Sequence, residues 1–531
     1  MMRRLYTTLS IFLVLIFSSQ LKAQNSDIYQ QMDKMSTLLS LVNDWYVDTP
    51  GMDGLVEEAI VHLLEDLDPH SVYISKDELK KMNEPLEGEF EGIGIQFNIL
   101  NDTILVVSPI SGGPSEKLGI LAGDKIVTID GDTVAGVGYS NADVQKSLRG
   151  KKGSKVVVGM KRSGVKDLID FEITRDKIPI YSVDAGYMIN DRVGYIKVNR
   201  FARKTVDEFN QKAKGLESQG MKSLVLDLRG NSGGYLNTAI DLADQFMEKG
   251  QLVVYTQGRN FPKDEKFATA KGEFEKGKLV ILIDEGSASA SEIVTGAVQD
   301  WDRGLVVGRR SFGKGLVQKP YMLPDRSAIR LTISRYYTPS GRSIQRPYNK
   351  GKDAYYDLLD DRYESGEVFS ADSIKLPDSL KYTTNNGRSV YGGGGIVPDI
   401  FVPLDTNGRS DYYLNLLRKG HFNTYTLNRL DGERKKIMKE YQSVSDLKER
   451  FPLQEEVKSF IAYAAEKGLE FDEEGYKESK DKIDNLLLAY IARGVWDVNA
   501  YYEVINSIDP TLKVAVDALD DKNFKSYLSK P

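Results

Sequence analysis

The chain has 531 residues, of which 41% are hydrophobic and 28% are charged, so it is long enough for about three to four folded domains. Its formal net charge of -6 argues against nucleic-acid binding through a basic surface. There is no cysteine, the three histidines are scattered, and we find neither a zinc-ligand spacing nor a phosphate-binding P-loop. We therefore expect no metal and no other cofactor.

The first residues have the pattern of an export signal. Two arginines precede the apolar stretch Leu9–Phe17, and Leu21-Lys22-Ala23 then fits cleavage after Ala23, so residues 1–23 are predicted to be a signal peptide. The apolar stretch is short for a membrane span, which makes an uncleaved anchor the less favoured alternative. We expect an exported protein of the periplasm or cell envelope whose mature chain has no transmembrane span.

The next segment, residues 24–87, carries apolar residues at helical spacing, with breaks at Pro50-Gly51 and Pro69. From Gly88 the period changes to that of strands. Residues 88–176 are therefore predicted to form a separate β-rich domain after a helical region.

Several phrases of this β-rich segment resemble those of a PDZ domain: Gly92-Ile93-Gly94-Ile95, Pro114–Ile120 and Gly123–Ile126. The resemblance implies that a peptide adds as a strand to an open sheet edge while loop N–H groups hold its terminal carboxylate. Residues Gly92, Ile93, Gly94 and Ile95 would form that loop. Taken alone, the same four residues are more often a strand with a glycine bulge.

Residues 177–404 alternate between strand and helix patterns. The apolar run Leu279–Ile283 is predicted to be a buried strand, and Glu292–Val298 an amphipathic helix. Ser289 therefore lies where strand becomes helix, so the first N–H groups and the positive end of the helix dipole would face whatever its hydroxyl attacks. A serine in such a turn is by itself most often only a helix cap.

Two motifs change that interpretation: Gly286–Glu292 (GSASASE), and Phe312–Gly315 (FGKG) followed by Gln318. Together they are similar to the carboxyl-terminal processing peptidases, the tail-specific serine peptidases with a Ser-Lys dyad. The interval from serine to lysine in that family selects Ser289 over Ser287 and Ser291. Further matching blocks lie in family order over about residues 30–404: Leu67–Ser71, Leu226–Gly234 (LDLRGNSGG), Leu331–Gln345 and Gly395–Asp399.

The resemblance implies a role for each matched residue. Ser289 would be the nucleophile, Lys314 the general base, and Gln318 the residue that orients the lysine. The N–H of Ala290 would form an oxyanion hole with that of Gly233 or Gly234, although glycines after a strand are also ordinary turn residues.

The supporting residues implied by the resemblance are Glu292 and Asp300. Either could equally be a first-turn helix acid or a surface charge at a helix end. A base must lose its proton near pH 7, so Lys314 would need buried surroundings that lower its pKa. Without the matched motifs, this lysine would be interpreted as a solvated surface charge.

Two alternatives remain open. A Ser-His-Asp triad could be assembled from distant residues, although none of His62, His70 and His421 lies near the serine motif in sequence. A peptide-binding scaffold or adaptor with a silent peptidase domain is the other, but it would have no reason to keep Ser289, Lys314 and Gln318 together.

The expected fold class is multidomain α/β. A PDZ-like domain precedes an α/β serine peptidase core of the ClpP/crotonase-like type, residues 177–404, and helical regions lie at both ends. Beyond Asp405 the spacing is helical to residue 531, with apolar faces on residues 457–464 and 483–491. This region could dock on the core or mediate oligomerisation.

The predicted function is that of an exported serine endopeptidase. It would recognise free, apolar carboxyl termini of envelope proteins through the PDZ-like domain and cleave them with the Ser-Lys dyad. A homo-oligomer or an adaptor partner is open, and no nucleic acid is expected.

Overall fold

The computed structural model describes residues 27–110, 112–162, 164–270 and 272–529. The predicted signal peptide, residues 1–23, lies outside the described residues. The chain divides into two compact units, one up to Tyr73 and one from Ile74 onward. In the described chain, no helix combines the length and the apolar character needed to cross a membrane.

The first unit is helical, in agreement with the spacing of apolar residues. A helix, α1, covers residues 27–45, and a second, α2 (Met52–Glu65), follows the predicted break at Pro50-Gly51. A short strand, β1 (Val72–Ile74), ends this stretch of the chain.

The second unit starts with a linker helix and a β-rich domain. The helix α3 (Lys76–Glu87) begins at a Ser75 capping box and ends at Gly88, which adopts a positive φ of 77°. The domain contains β2 (Glu89–Gly92), β3 (Ile95–Leu100), β4 (Thr103–Pro109), α4 (Pro114–Lys117), β5 (Lys125–Ile129), β6 (Asp132–Thr133), α5 (Asn141–Leu148), β7 (Lys155–Lys161), β8 (Ile169–Thr174) and β9 (Asp176–Pro179).

The strands of this domain pair in the order β3-β4-β5-β7-β8, so β3 lies at an edge of the sheet. Strands β2 and β9, where the chain enters and leaves the domain, pair with each other in antiparallel fashion. The domain core is made of aliphatic residues from the strands and α5, including Ile104, Ile126, Val144 and Val158.

The central α/β domain has the following elements: β10 (Val183–Met188), β11 (Val193–Val198), α6 (Thr205–Ser218), β12 (Ser223–Asp227), α7 (Leu236–Asp244), β13 (Leu252–Gln257), β14 (Asp264–Phe267), β15 (Lys278–Ile283), α8 (Ala290–Asp300), β16 (Leu305–Gly308), β17 (Leu316–Met322), β18 (Ala328–Tyr337), α9 (Lys352–Glu364), β19 (Lys381–Thr383), β20 (Ser389–Tyr391) and β21 (Ile400–Phe401).

Its main sheet has the strand order β10-β11-β12-β15-β16-β21. The pairs from β11 onward are parallel, and β10 is antiparallel to β11. The central strands are apolar on both faces, as is usual for parallel strands covered on both sides. Leu279 and Ile281 of β15 point to the helices α6, α7 and α8, whereas Val280 and Leu282 point to the opposite face.

The prediction of an amphipathic helix at residues 292–298 is wrong in one respect. All eleven residues of α8, Ala290–Asp300, are buried, including its polar and charged ones. The side of α8 away from the sheet is covered by the segment that follows β18: a side chain on Gly296 would lie 2.7 Å from Thr338. The polar side chains therefore mark internal hydrogen bonds rather than a solvated face.

The C-terminal region is helical, as predicted, with α10 (Asp411–Arg418), α11 (His421–Leu430), α12 (Arg434–Glu440), α13 (Val444–Arg450), α14 (Leu453–Glu466), α15 (Glu473–Val495), α16 (Val498–Ile505), α17 (Pro510–Ala518) and α18 (Asp521–Leu528). Helices α10–α16 share one apolar core, to which α14 and α15 contribute the predicted residues Phe460 and Leu487. Helices α17 and α18 instead pack on the second face of the main sheet.

Candidate active site

Three loops at the carboxyl ends of adjacent strands form the candidate site. They are the glycine turn (residues 230–234) after β12, the serine turn (residues 284–289) after β15, and the lysine loop (residues 311–315) after β16. Because these strands are parallel neighbours, their carboxyl ends lie at the same edge of the sheet.

Ser289 lies between strand and helix, as predicted, immediately before α8. Its backbone has φ 55° and ψ -110°, an unusual conformation for a residue with a side chain. Gly233 packs directly against it, since a Cβ on Gly233 would lie 2.9 Å from the Ser289 Cβ. Gly233 also has a positive φ of 107°. Only glycine therefore allows the two turns to approach this closely.

The two neighbouring serines have structural hydrogen bonds. The Ser287 hydroxyl donates to Leu228 O at 2.9 Å, and the Ser291 hydroxyl donates to Asn231 O at 2.8 Å. Both side chains are fully buried, whereas Ser289 is half-buried. Of the three serines in the motif, Ser289 is thus the one that is not fully buried.

Asn231 connects the glycine turn to the serine turn. Its carbonyl oxygen accepts from the Ala288 N–H at 3.0 Å, in addition to the Ser291 hydroxyl. Its side-chain oxygen accepts from the Gly233 N–H at 2.9 Å. The N–H of Gly233 is therefore engaged within the turn, which bears on the choice between Gly233 and Gly234 as the predicted oxyanion donor.

Glu292 links the serine turn to the lysine loop. One carboxylate oxygen accepts from the backbone N–H groups of Ser289 at 2.7 Å and Lys314 at 2.9 Å. The other accepts from the Ser311 hydroxyl at 2.6 Å and the Gly313 N–H at 2.7 Å. The amide nitrogens of Ser289 and Lys314 consequently lie within two hydrogen-bond lengths of each other.

Burial has a large effect on this carboxyl group. Glu292 is 1% exposed, and the loss of water raises its pKa from 4.5 to about 7, although the hydrogen bonds from the lysine loop and Ser289 oppose the shift. All four donors point at the carboxylate, so the ionised form is the one that can accept all of them.

Tyr336 joins the same two segments from the other side. Its buried hydroxyl lies 2.7 Å from Lys314 O and 3.1 Å from Ser289 O, and it donates to these two carbonyl groups. Gly315 N, next to the lysine, donates to Gln345 Oε1 at 2.7 Å. Arg346 stacks between the rings of Phe312 and Tyr355, with its guanidinium carbon 4.0 and 3.9 Å from the ring centroids.

Asp300 is not a surface charge. Its side chain and that of Arg342 are fully buried, 2.7 Å apart at their nearest polar atoms, and its second oxygen accepts from Ser340 N at 2.9 Å. The pair attaches the end of α8 to the segment after β18, which carries Gln345. Asp300 thus supports the lysine loop indirectly.

Comparisons with known proteins show the family to which the chain belongs. Residues 92–173 match the family model of PDZ domains and residues 192–351 that of peptidase family S41. A carboxy-terminal-processing protease of Bartonella bacilliformis is 38% identical over 342 residues, covering 64% of this chain and 78% of that protein. The carboxy-terminal processing protease CtpB of Bacillus subtilis is 34% identical over 365 residues, covering 68% and 74%. The chain belongs to the carboxy-terminal processing proteases of peptidase family S41.

The recognition of this family from sequence is therefore confirmed, as is the fold class of a PDZ domain followed by an S41 peptidase domain. A photosystem II D1 C-terminal processing protease of known structure is 29% identical, with a TM-score of 0.33 over 58% of this chain and 88% of that one. Residues 412–497 match DUF8443, a family of unknown function.

The candidate site contains residues to which the sequence analysis assigned no role. Asn231, Ser311, Tyr336 and Gln345 all stand in or beside the matched motifs, and each makes a hydrogen bond that holds one of the three loops. Their position in or beside those motifs is the feature of the sequence from which they could have been identified. Gln318 lies on β17, and its amide reaches Thr332 Oγ1 across the strand pair at 3.5 Å.

The PDZ loop has the geometry of a strand connection. Gly92 ends β2, Ile95 begins β3, and Gly94 between them has a positive φ of 77°. The carbonyl of Ile93 accepts from both the N–H and the hydroxyl of Ser115, at 3.2 and 2.6 Å. The loop therefore leads directly into the edge strand, where a peptide could add.

Proposed function

We propose that this protease is an exported serine endopeptidase that cleaves envelope proteins with a Ser289-Lys314 dyad. The observation that carries the proposal is the hydrogen bonding of Glu292. It holds the backbone of the one half-buried serine of the motif beside the backbone of the half-buried Lys314.

In the proposed reaction, Ser289 Oγ attacks the carbonyl carbon of the scissile peptide bond while neutral Lys314 Nζ takes its proton. The N–H of Ala290, at the first position of α8, stabilises the oxyanion, and Gly234 supplies the second donor because the Gly233 N–H already donates to Asn231. Lys314 then returns the proton to the leaving amine. Water then attacks the acyl-enzyme while Lys314 takes one of its protons, the bond between the acyl group and Ser289 Oγ breaks, and Lys314 returns the proton to that oxygen.

Gln318 is proposed to orient Lys314 from β17. The PDZ loop Gly92–Ile95 is proposed to receive the free carboxylate of the substrate, with the following residues pairing along the open edge of β3. An apolar last residue would be preferred. Residues 1–23 would direct export, which places the substrates among periplasmic or envelope proteins.

The test uses a fluorescence-quenched, unstructured peptide with a free carboxyl-terminal valine, called the probe peptide below. We expect Ser289→Ala to abolish cleavage and to leave probe binding intact, because only one hydroxyl is removed. Lys314→Arg should be equally inactive, since arginine keeps the positive charge but cannot lose its proton at working pH.

The matched controls are Ser287→Ala and Ser291→Ala, which remove structural hydroxyls from the same motif. They should lower the melting temperature while cleavage of the probe peptide remains measurable. Full activity in Ser289→Ala, or in Lys314→Arg, would exclude the dyad. Binding of the probe peptide without any cleavage by the wild-type protein would favour a scaffold.

A further inference from the structure

The chain returns to the peptidase sheet after the helical C-terminal domain. Helices α17 and α18 place Leu512, Ala515, Leu519 and Phe524 in the apolar core on the second face of the sheet, against residues that include Val225, Val280 and Leu282 of β12 and β15. Lys278 at the start of β15 donates to Leu519 O at 2.6 Å. The last two helices thus cover the strands that carry the glycine turn and the serine turn.

Asp509, at the start of this segment, has two functions in one carboxylate. One oxygen accepts from the N–H groups of Thr511 at 2.8 Å and Leu512 at 3.2 Å, which caps α17. The other accepts from the Arg229 guanidinium at 2.7 Å. A helix cap needs only the first of these interactions.

Arg229 immediately precedes the glycine turn. The other edge of its guanidinium contacts Asp227, at 2.6 Å for the shortest of its bonds, and Asp227 is 2% exposed. Burial alone would raise the pKa of Asp227, but Arg229 and Lys197 hold it well below its ordinary value, so the carboxylate stays ionised. Arg229 is therefore held between one carboxylate of the sheet and one carboxylate of the C-terminal segment.

The residues after Arg229 are connected to the serine turn by hydrogen bonds. The Gly230 N–H donates to Asp284 Oδ1 at 2.8 Å, and the same oxygen accepts from Gly286 N in the serine turn at 3.0 Å. Asn231 follows and connects to Ala288 and Ser291. A shift of Arg229 would therefore move both turns.

We propose that Asp509 is a positioning residue of the peptidase: it fixes Arg229 and thereby the glycine turn that supplies an oxyanion donor. The start of α17, residues 509–512, in consequence supports the site, although it follows the helical domain in sequence. The inference rests on the proposed role of the glycine turn. Oxyanion donors act only when they are held in place before the reaction, so a small displacement lowers turnover rather than substrate binding.

The test compares Asp509→Asn with Asp520→Asn in the full chain. Asparagine keeps its one side-chain oxygen for the helix cap and presents an NH₂ group, which cannot accept a hydrogen bond, to Arg229. Asp520 caps α18 through Lys522 N at 3.0 Å and so provides the same chemical change at the next helix of the segment. With the probe peptide, we expect Asp509→Asn to lower kcat about tenfold with KM unchanged, and Asp520→Asn to change neither.

A double variant shows whether Asp509 acts through Arg229. Asp509→Asn combined with Arg229→Gln should have the same kcat as Arg229→Gln alone, whereas independent effects would multiply. A kcat for Asp509→Asn within twofold of the wild type, or multiplying effects in the double variant, would overturn the inference. Failure of the proposed dyad has a different signature, which is cleavage by Ser289→Ala.

Discussion

The substitution Glu292→Gln tests the link between the serine turn and the lysine loop with a change of one heavy atom. The carboxylate accepts four hydrogen bonds, two on each oxygen. A glutamine amide offers one oxygen and one NH₂ group, so only one pair of donors keeps its acceptor. The other two donors then face the NH₂ group of the glutamine, which is itself a donor and cannot accept their hydrogen bonds.

The magnitude follows from two opposing effects. Leaving a buried donor unsatisfied costs about 1–3 kcal/mol, so two of them weaken the link by roughly 2–6 kcal/mol. Against this, the pKa of Glu292 is raised by burial from 4.5 to about 7, and ionising it in the folded protein costs about 3 kcal/mol. The neutral amide avoids that cost, so the net change in unfolding free energy at pH 8 should be small.

Activity should not show this compensation. If the lysine loop moves by about 1 Å relative to Ser289, the geometry of the proposed proton transfer is lost, and we expect kcat for the probe peptide to fall about a hundredfold. The control is Glu285→Gln in the same turn, which removes a partly exposed ion pair with Arg309 and should leave kcat within about twofold.

The pH dependence gives an independent measurement. Below pH 4.5 the Glu292 carboxyl is protonated in both the folded and the unfolded protein. Between pH 4.5 and about 7 the unfolded chain releases the proton while the folded protein retains it, so wild-type stability falls with rising pH by about 3 kcal/mol from this group.

The Glu292→Gln variant has no carboxyl group here and so does not lose stability in this way. Urea unfolding at pH 4 and pH 8 should therefore show that the free energy of unfolding of the variant increases relative to that of the wild type as the pH rises. Wild-type activity should rise near pH 7 as the carboxylate ionises. The reasoning would be refuted if the Glu292→Gln enzyme were as active as the wild type. It would also be refuted if the variant were inactive only because it is unfolded at both pH values.

Two further predictions address other parts of the site. Tyr336→Phe removes a buried hydroxyl from Ser289 O and Lys314 O; we expect a stability loss of about 1–3 kcal/mol and a lower kcat with unchanged KM, whereas Tyr337→Phe should behave as wild type. The carboxylate role of the Gly92–Ile95 loop predicts that amidating the probe peptide weakens its binding to Ser289→Ala about ten- to a hundredfold, since charge-assisted hydrogen bonds contribute about 1.5–3 kcal/mol. Equal affinity for acid and amide would mean that the PDZ domain does not read the terminus.

Local patterns in the sequence were sufficient for the parts of the structure that depend on local rules. The apolar run of β15 predicts a buried strand, and Ser289 lies at the end of the turn that follows it, immediately before α8. The same holds for the PDZ strands and for the apolar faces of α14 and α15. Recognition of the family depended on motifs that keep order and spacing along the chain.

Contacts between distant segments could not be predicted in this way. The polar residues of α8 suggested a solvated face, because nothing local indicates that the segment after β18 covers it. Likewise, Asp509 lies among ordinary helix-capping residues, and its bond to Arg229 joins positions 280 residues apart. Helical spacing gives the existence of α17 and α18 but not the sheet on which they pack.

The buried charges around this site supply geometry rather than net stability. Replacing a buried ion pair by apolar residues of similar size is often neutral or stabilising, because both charges must lose water when the pair forms. Yet the side chains of Arg342 and Asp300 are fully buried, and Glu292 is buried at a cost visible in its raised pKa. Each of these groups aims at particular backbone atoms of a loop, and apolar packing has no such direction. The proposed reaction needs Ser289, Lys314 and the oxyanion donors to be held together within a fraction of an ångström, and the directed hydrogen bonds of these buried groups can hold them there at the cost of burial.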